Sequence, residues 1–110
     1  MLKGYTSIMQ TELARHITQR AYALNPSGLD QTLHQLGGAD WLTAVRDLSF
    51  QEVGTGGGCR MLVANLPASD VQVVITDGEA DLPQTADRFW LAVLDAEEDE
   101  LISVAAGEPF

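Results

Sequence analysis

The chain has 110 residues, of which 45% are apolar and 20% charged, and its formal net charge is −10. This length supports one domain with one core and is too short for two, and the composition argues against global disorder. Residues 1–50 are neutral overall, whereas residues 51–110 hold two arginines against twelve carboxylates and so carry the whole charge. A field of this sign repels nucleic acid and acidic membranes and favours encounter with basic surfaces.

Cysteine content and hydropathy both favour a soluble, cytoplasmic chain. Cys59 is the only cysteine, so no internal disulfide can form. No segment approaches the roughly 18 apolar residues of a membrane span, and the first seven residues lack the apolar region of a signal peptide. We therefore expect a single domain over 1–110, made of a loose leader at 1–6, a helical part at 7–47 and a β part at 48–110.

The first part of the chain has helical periodicity. Ser7 with Gln10 has the form of a capping box. Apolar residues then recur on one helical face at Leu13, Ile17, Ala21 and Leu24. Asn25 precedes a proline, which pushes it out of the α region and ends this helix.

Two shorter helices are predicted after Pro26. Ser27 with Asp30 has the spacing of a second helix cap, and Gly37-Gly38 is expected to stop the helix that follows. Asp40 can cap a third short helical segment. The pattern therefore predicts helix over about 8–47, in two or three pieces.

After residue 48 the hydrophobic period changes to two. The strand candidates are 48–51, 59–66, 71–76, 89–94 and 101–105. Connections this short favour antiparallel neighbours, because parallel pairing needs a crossover of a dozen or more residues. We predict an α+β domain in which N-terminal helices pack on a four- or five-stranded antiparallel meander sheet.

The strand at 89–94 is apolar on both of its faces. Phe89, Leu91 and Val93 point one way, whereas Trp90, Ala92 and Leu94 point the other. A sheet covered on one side only should alternate between apolar and polar residues. The second face is therefore either covered by the loop at 78–87 and the C-terminal segment, or it is an interface with a second copy or a partner. Trp90 is the expected anchor of such an interface.

Two loops resemble ligand sites but lack their defining residues. Carboxylates at 77, 79 and 81 begin a calcium loop, but the required glycine and glutamate are replaced by Leu82 and Arg88. The glycine-rich run at 54–58 precedes a β-patterned segment, whereas a phosphate loop precedes a helix.

Cys59 is interpreted as a small core side chain. Its spacing from His16 and His34 indicates neither a catalytic thiol–imidazole pair nor a closed zinc site. We accordingly expect no catalytic residue, no metal ion and no cofactor.

Two groups of carboxylates are candidate contacts for a basic partner. In a meander, the turns at 67–70 and 95–100 lie at one end of the sheet, and the loop at 77–87 lies at the other, roughly 20 Å away. The first group is Asp70, Asp95, Glu97, Glu98, Asp99 and Glu100, and the second is Asp77, Glu79, Asp81 and Asp87. The run at 95–100 has an alternative interpretation as a solvated turn that protects two hydrophobic strands from aggregation.

The functional hypothesis is a non-enzymatic acidic protein that binds or inhibits a basic macromolecular partner, such as a nucleic-acid-binding protein. In general character such a chain is similar to phage and plasmid anti-defence proteins, including some anti-CRISPR and antirestriction proteins, an analogy of fold and charge alone. One alternative is a homodimeric structural or assembly protein that uses one sheet face. The third is a small-ligand binder or enzyme with a cleft at the loop 78–87.

Overall fold

The computed structural model describes residues 8–54, 57–66 and 69–107, with side chains from residue 10 onward. The elements are α1 (Ile8–Leu24), α2 (Pro26–Gln35), α3 (Trp41–Val45), β1 (Gln51–Gly54), β2 (Arg60–Asn65), β3 (Gln72–Thr76), β4 (Phe89–Leu94) and β5 (Glu100–Ala106). The five strands form one antiparallel sheet in the order β1-β2-β3-β4-β5. The predicted α+β meander is confirmed. Within the described residues, no helix is long and apolar enough to cross a membrane.

The chain breaks between α1 and α2 at Asn25. The Asn25 side chain accepts a hydrogen bond from the Gly28 amide at 3.1 Å and so caps α2. Pro26 occupies the first turn, where a missing N–H leaves no hydrogen bond unmade. The predicted cap at Ser27 is therefore wrong, because Ser27 lies inside α2. Ser7 of the other predicted cap lies outside the described residues.

Asp30, on α2, joins all three helices. Its Oδ1 accepts a hydrogen bond from the Trp41 amide at 2.8 Å, and its Oδ2 accepts one from the Tyr22 hydroxyl at 2.7 Å. These two hydrogen bonds, that of the Trp41 amide first, hold the pKa of Asp30 below its ordinary value. Asp40, predicted to cap α3, makes no side-chain capping bond, and its Oδ1 lies 2.6 Å from His34 Nε2.

The core lies between the helices and one face of the sheet. Trp41 is fully buried there, and its indole N–H donates to the Thr18 carbonyl at 3.0 Å. The strand residues that face the helices alternate along the chain: Leu62, Ala64, Val73, Ile75, Phe89, Leu91, Val93, Val104 and Ala106. The intervening residues of each strand therefore lie on the opposite side, which we call the far face.

Candidate partner-binding surfaces

The β2–β3 and β4–β5 turns bring acidic side chains together at one end of the sheet. Asp70, Asp95 and Glu98 line a single open depression, which also includes Asn65, Ser69 and Gln72. We call the six carboxylates of these turns the acidic end: Asp70, Asp95, Glu97, Glu98, Asp99 and Glu100. The structure thus places the first predicted group of residues together. The role of these residues in binding stays a prediction.

Asp95 organises the acidic turn. Its Oδ1 accepts hydrogen bonds from the amides of Glu97 and Asp99, each at 2.9 Å. Glu98 has a φ of +64°, a left-handed conformation that residues other than glycine seldom adopt. Carboxylate oxygens of Asp95, Glu97 and Asp99 lie within 4.8 Å of one another. Exposed carboxylates this close are common without a cation, and the turn's own hydrogen bonds explain the arrangement of Asp95.

The opposite end of the sheet has a different charge balance, and we call it the paired end. Arg60 lies 3.0 Å from Asp81 and 3.7 Å from Glu52, and Arg88 lies 3.0 Å from Glu79. These are the two arginines of the β part. The second predicted group of carboxylates, Asp77, Glu79, Asp81 and Asp87, is therefore offset in part by neighbouring cations.

In the loop at 77–81, carboxylates accept hydrogen bonds from backbone amides of the loop itself and of the next residue. Asp77 Oδ1 accepts hydrogen bonds from the amides of Glu79 and Asp81 at 2.6 and 3.2 Å. Asp81 Oδ1 accepts one from the Leu82 amide at 2.8 Å, and this bond and the nearby Arg60 lower the pKa of Asp81. This arrangement is a turn stabilised by side-chain hydrogen bonds, which is a sufficient structural role for both residues.

The far face is nearly uncharged and partly apolar. It comprises Gln51, Val53, Met61, Val63, Asn65, Gln72, Val74, Thr76, Trp90, Ala92, Leu94, Glu100, Leu101, Ser103 and Ala105, of which Glu100, exposed on the edge strand β5, carries a charge. Val74 and Ala92 are only 4% and 0% exposed although they do not belong to the helix-side core. They are small side chains on the two central strands, so their larger cross-strand neighbours shield them. Trp90 is half-buried at one end of this face.

The loop between β3 and β4 does not form the second layer that one interpretation predicted. Leu82 and Ala86 pack against the helix-side core. Gly78 and Ala80 border the far face only at one corner, around a recess of about 320 Å³. That recess is also lined by Cys59, Arg60, Met61, Thr76 and Trp90. Because the helices pack on the opposite side, the far face has no layer over it within the described part of the chain.

The recess contains few groups suited to catalysis. Thr76 Oγ1 accepts a hydrogen bond from the Gly78 amide at 3.1 Å, and Arg60 is held by Asp81. Cys59 is half-buried immediately before β2, so its interpretation as a core side chain is wrong. A cleft at this loop thus exists, as the third hypothesis requires, but its polar groups already serve the fold.

A groove that the sequence did not indicate adjoins the acidic end. It has a volume of about 310 Å³ and lies between the α2–α3 connection and the β2–β3 turn. Its walls include Leu36, which is 44% exposed, and Val71. Ser69 lines both this groove and the acidic depression, so the two surfaces are continuous. The only local signal was an apolar residue immediately before Gly37-Gly38, which also suits an ordinary helix end.

The chain matches no protein-family model, and no curated protein or solved structure is significantly similar to it.

Proposed function

We propose that this protein is a non-catalytic binding protein whose acidic end docks on a basic surface of a macromolecular partner. The observation that carries the proposal is the unequal charge of the two sheet ends. Six carboxylates gather at the acidic end, whereas both arginines of the β part lie at the paired end in ion pairs. A basic partner relieves the mutual repulsion of these carboxylates, and this relief favours association.

The groove beside the acidic end supplies the apolar part of the same docking surface. Specific interfaces combine an apolar centre with a polar rim, and the continuity at Ser69 provides both within one region. The partner suited to it presents an aliphatic or aromatic side chain flanked by arginines or lysines. Proteins that bind nucleic acid carry such basic surfaces, so the functional class we favour is an inhibitor of the anti-defence type that occupies a phosphate-contacting site of its partner.

The test compares two variants with the same net charge. The first is Glu97→Gln/Glu98→Gln/Asp99→Asn, which neutralises the acidic end. The matched control is Glu12→Gln/Glu79→Gln/Asp87→Asn, which removes three exposed charges that lie outside the acidic end. The wild type and both variants serve as baits for affinity capture from a lysate of the native host, and the retained protein is identified by mass spectrometry. Association and dissociation rates of that purified partner are then measured at low and high salt.

At low salt, the acidic-end variant is expected to associate about tenfold or more slowly, with little change in dissociation, because exposed charges act mainly on the encounter. The control is expected to retain the wild-type rate within about twofold, because none of its three residues belongs to the acidic end and two of them lie at the opposite end of the sheet. At high salt the three proteins should converge. A partner whose association depends on neither salt nor the acidic end would contradict the proposal.

A further inference from the structure

We infer that the far face is an interface between two copies of this chain, related by a two-fold axis that lies in the interface plane and runs across the strands. This surface borders the acidic end, with which it shares Asn65 and Gln72, but the argument for it uses no property of the proposed partner. Two sheets that pack face to face in this way form a sandwich with strand directions about 30° from alignment.

The composition of the far face suits a second copy. Fourteen of its fifteen residues are uncharged, although the chain carries a net charge of −10, and the exception, Glu100, is exposed on the edge strand β5. A surface with a single charge at its edge has little to select a basic partner, and a second copy can cover its central strands without burying an unpaired charge. Five strands about 4.8 Å apart and up to about 20 Å long present roughly 450 Å² per copy, or roughly 900 Å² for two. This area is near the lower limit of about 1,000 Å² for a specific interface, so the dimer is expected to be weak and concentration-dependent.

The strand register determines which residues meet. Val63, Val74, Ala92 and Ser103 form one row across β2 to β5. An axis along this row places Val74 and Ala92 opposite the same residues of the second copy, because a two-fold interface is self-complementary. The two rows that flank the axis lie opposite each other across the interface, so Trp90 of one copy lies opposite Leu94 of the second copy.

This exchange of rows is chemically favourable. The recess that Trp90 borders can receive Leu94 of the second copy, which is an apolar side chain. On β3, Thr76 lies opposite Gln72 of the second copy, and the two side chains can form a hydrogen bond. Small residues occupy the axis itself, where the two sheets approach most closely.

Charge decides between the two possible axes. An axis parallel to the strands would stack the two acidic ends, with six carboxylates from each copy. The axis across the strands reverses the second copy and places each acidic end beside the paired end, which contains Arg60 and Arg88. Repulsion is then lower, although two copies with a charge of −10 each still repel.

The test is sedimentation velocity of the full chain over a range of concentrations and at two salt concentrations. We expect a monomer–dimer equilibrium that strengthens with salt, because screening reduces the repulsion between two acidic copies. Acidic-end docking has the opposite salt dependence, so the two proposals can fail separately. A wild-type chain that remains a monomer at high micromolar concentration in both salts would overturn the inference.

Three variants assign the dimer to the far face. Trp90→Glu is expected to weaken dimerisation by about thirtyfold or more, as loss of an interface anchor does. Val53→Glu should also weaken dimerisation. It disturbs the fold of the monomer less, because Val53 is 38% exposed on the same face. Leu42→Glu is the matched control, since Leu42 is 47% exposed on α3 in the helical layer. Circular dichroism checks that each variant is folded. If Leu42→Glu weakens the dimer as much as Val53→Glu does, the far face is not the interface.

The acidic-end triple variant tests the axis. With the axis across the strands, neutralising the acidic end should change the dimerisation constant by less than about threefold, because the two acidic ends are more than a Debye length apart. A strengthening of about tenfold or more at low salt would show that the acidic ends are stacked, and would overturn the proposed axis.

Discussion

Leu91 and Leu94 lie on the same strand but on opposite faces, and truncating each to alanine measures how differently the two faces are buried. Leu91 is 0% exposed in the core between sheet and helices, whereas Leu94 is half-buried on the far face. Leu91→Ala leaves a cavity that its packed neighbours cannot fill. A loss of about 3 kcal/mol in the free energy of unfolding is therefore expected, within the range of about 2 to 5 for such sites.

Leu94→Ala removes the same atoms from a position that is already partly open to water. No closed cavity forms, and only part of the transfer free energy of the side chain is lost, so the expected cost is about 1 kcal/mol. Urea denaturation followed by circular dichroism measures both values. With a slope of about 1.5 kcal/mol per M, the midpoint shifts by about 2 M for Leu91→Ala and by about 0.7 M for Leu94→Ala.

The measurement is made first in dilute solution, where the proposed dimer is dissociated. Equal losses for the two variants there would refute the layer order, because they would show that the chain itself buries Leu94 as fully as Leu91. Repeating the measurement at high protein concentration adds a second test. Dimerisation stabilises the wild type by mass action, so the cost of Leu94→Ala should then grow while that of Leu91→Ala stays nearly constant.

Two further predictions concern the helical layer. Asn25→Ala should lower the free energy of unfolding by about 1 kcal/mol because α2 loses its cap, whereas Ser27→Ala should change it by less than about 0.5 kcal/mol. Thermal or chemical unfolding measures both values. A larger effect at Ser27 than at Asn25 would contradict the cap assignment. Asp30→Asn should lower the free energy of unfolding at neutral pH, and the difference from the wild type should become smaller in acid. Because the pKa of Asp30 is lower in the folded state, the stabilisation from its carboxylate is complete above the unfolded pKa of about 4 and is lost as the pH falls through the folded pKa. A difference in the free energy of unfolding between Asp30→Asn and the wild type that stays constant from neutral pH to about pH 2 would exclude this linkage.

The secondary structure could be read from the sequence because its signals are local. The periodicity of α1, the β-branched run of β3 and the dense apolar run of β4 predict those elements to within a residue or two at most boundaries. The short connections also determine the meander, since they leave no room for a parallel crossover. The caps were less predictable. Asn25 was assigned only to the end of α1, and the Trp41 amide is bound by Asp30, eleven residues earlier in the chain.

The sequence by itself also determined the charge distribution and the grouping of carboxylates by sheet end, because a meander alternates its turns between two ends. Only the tertiary structure decided how those charges are balanced, since the positions of Arg60 and Arg88 depend on side-chain contacts across the sheet. It likewise decided which face of β4 the helices cover. The pattern at 89–94 is apolar on both sides, and a period of two cannot distinguish them. The sequence also could not predict that an apolar groove adjoins the acidic end, because Leu36 and Ser69, which both line this groove, come from distant parts of the chain.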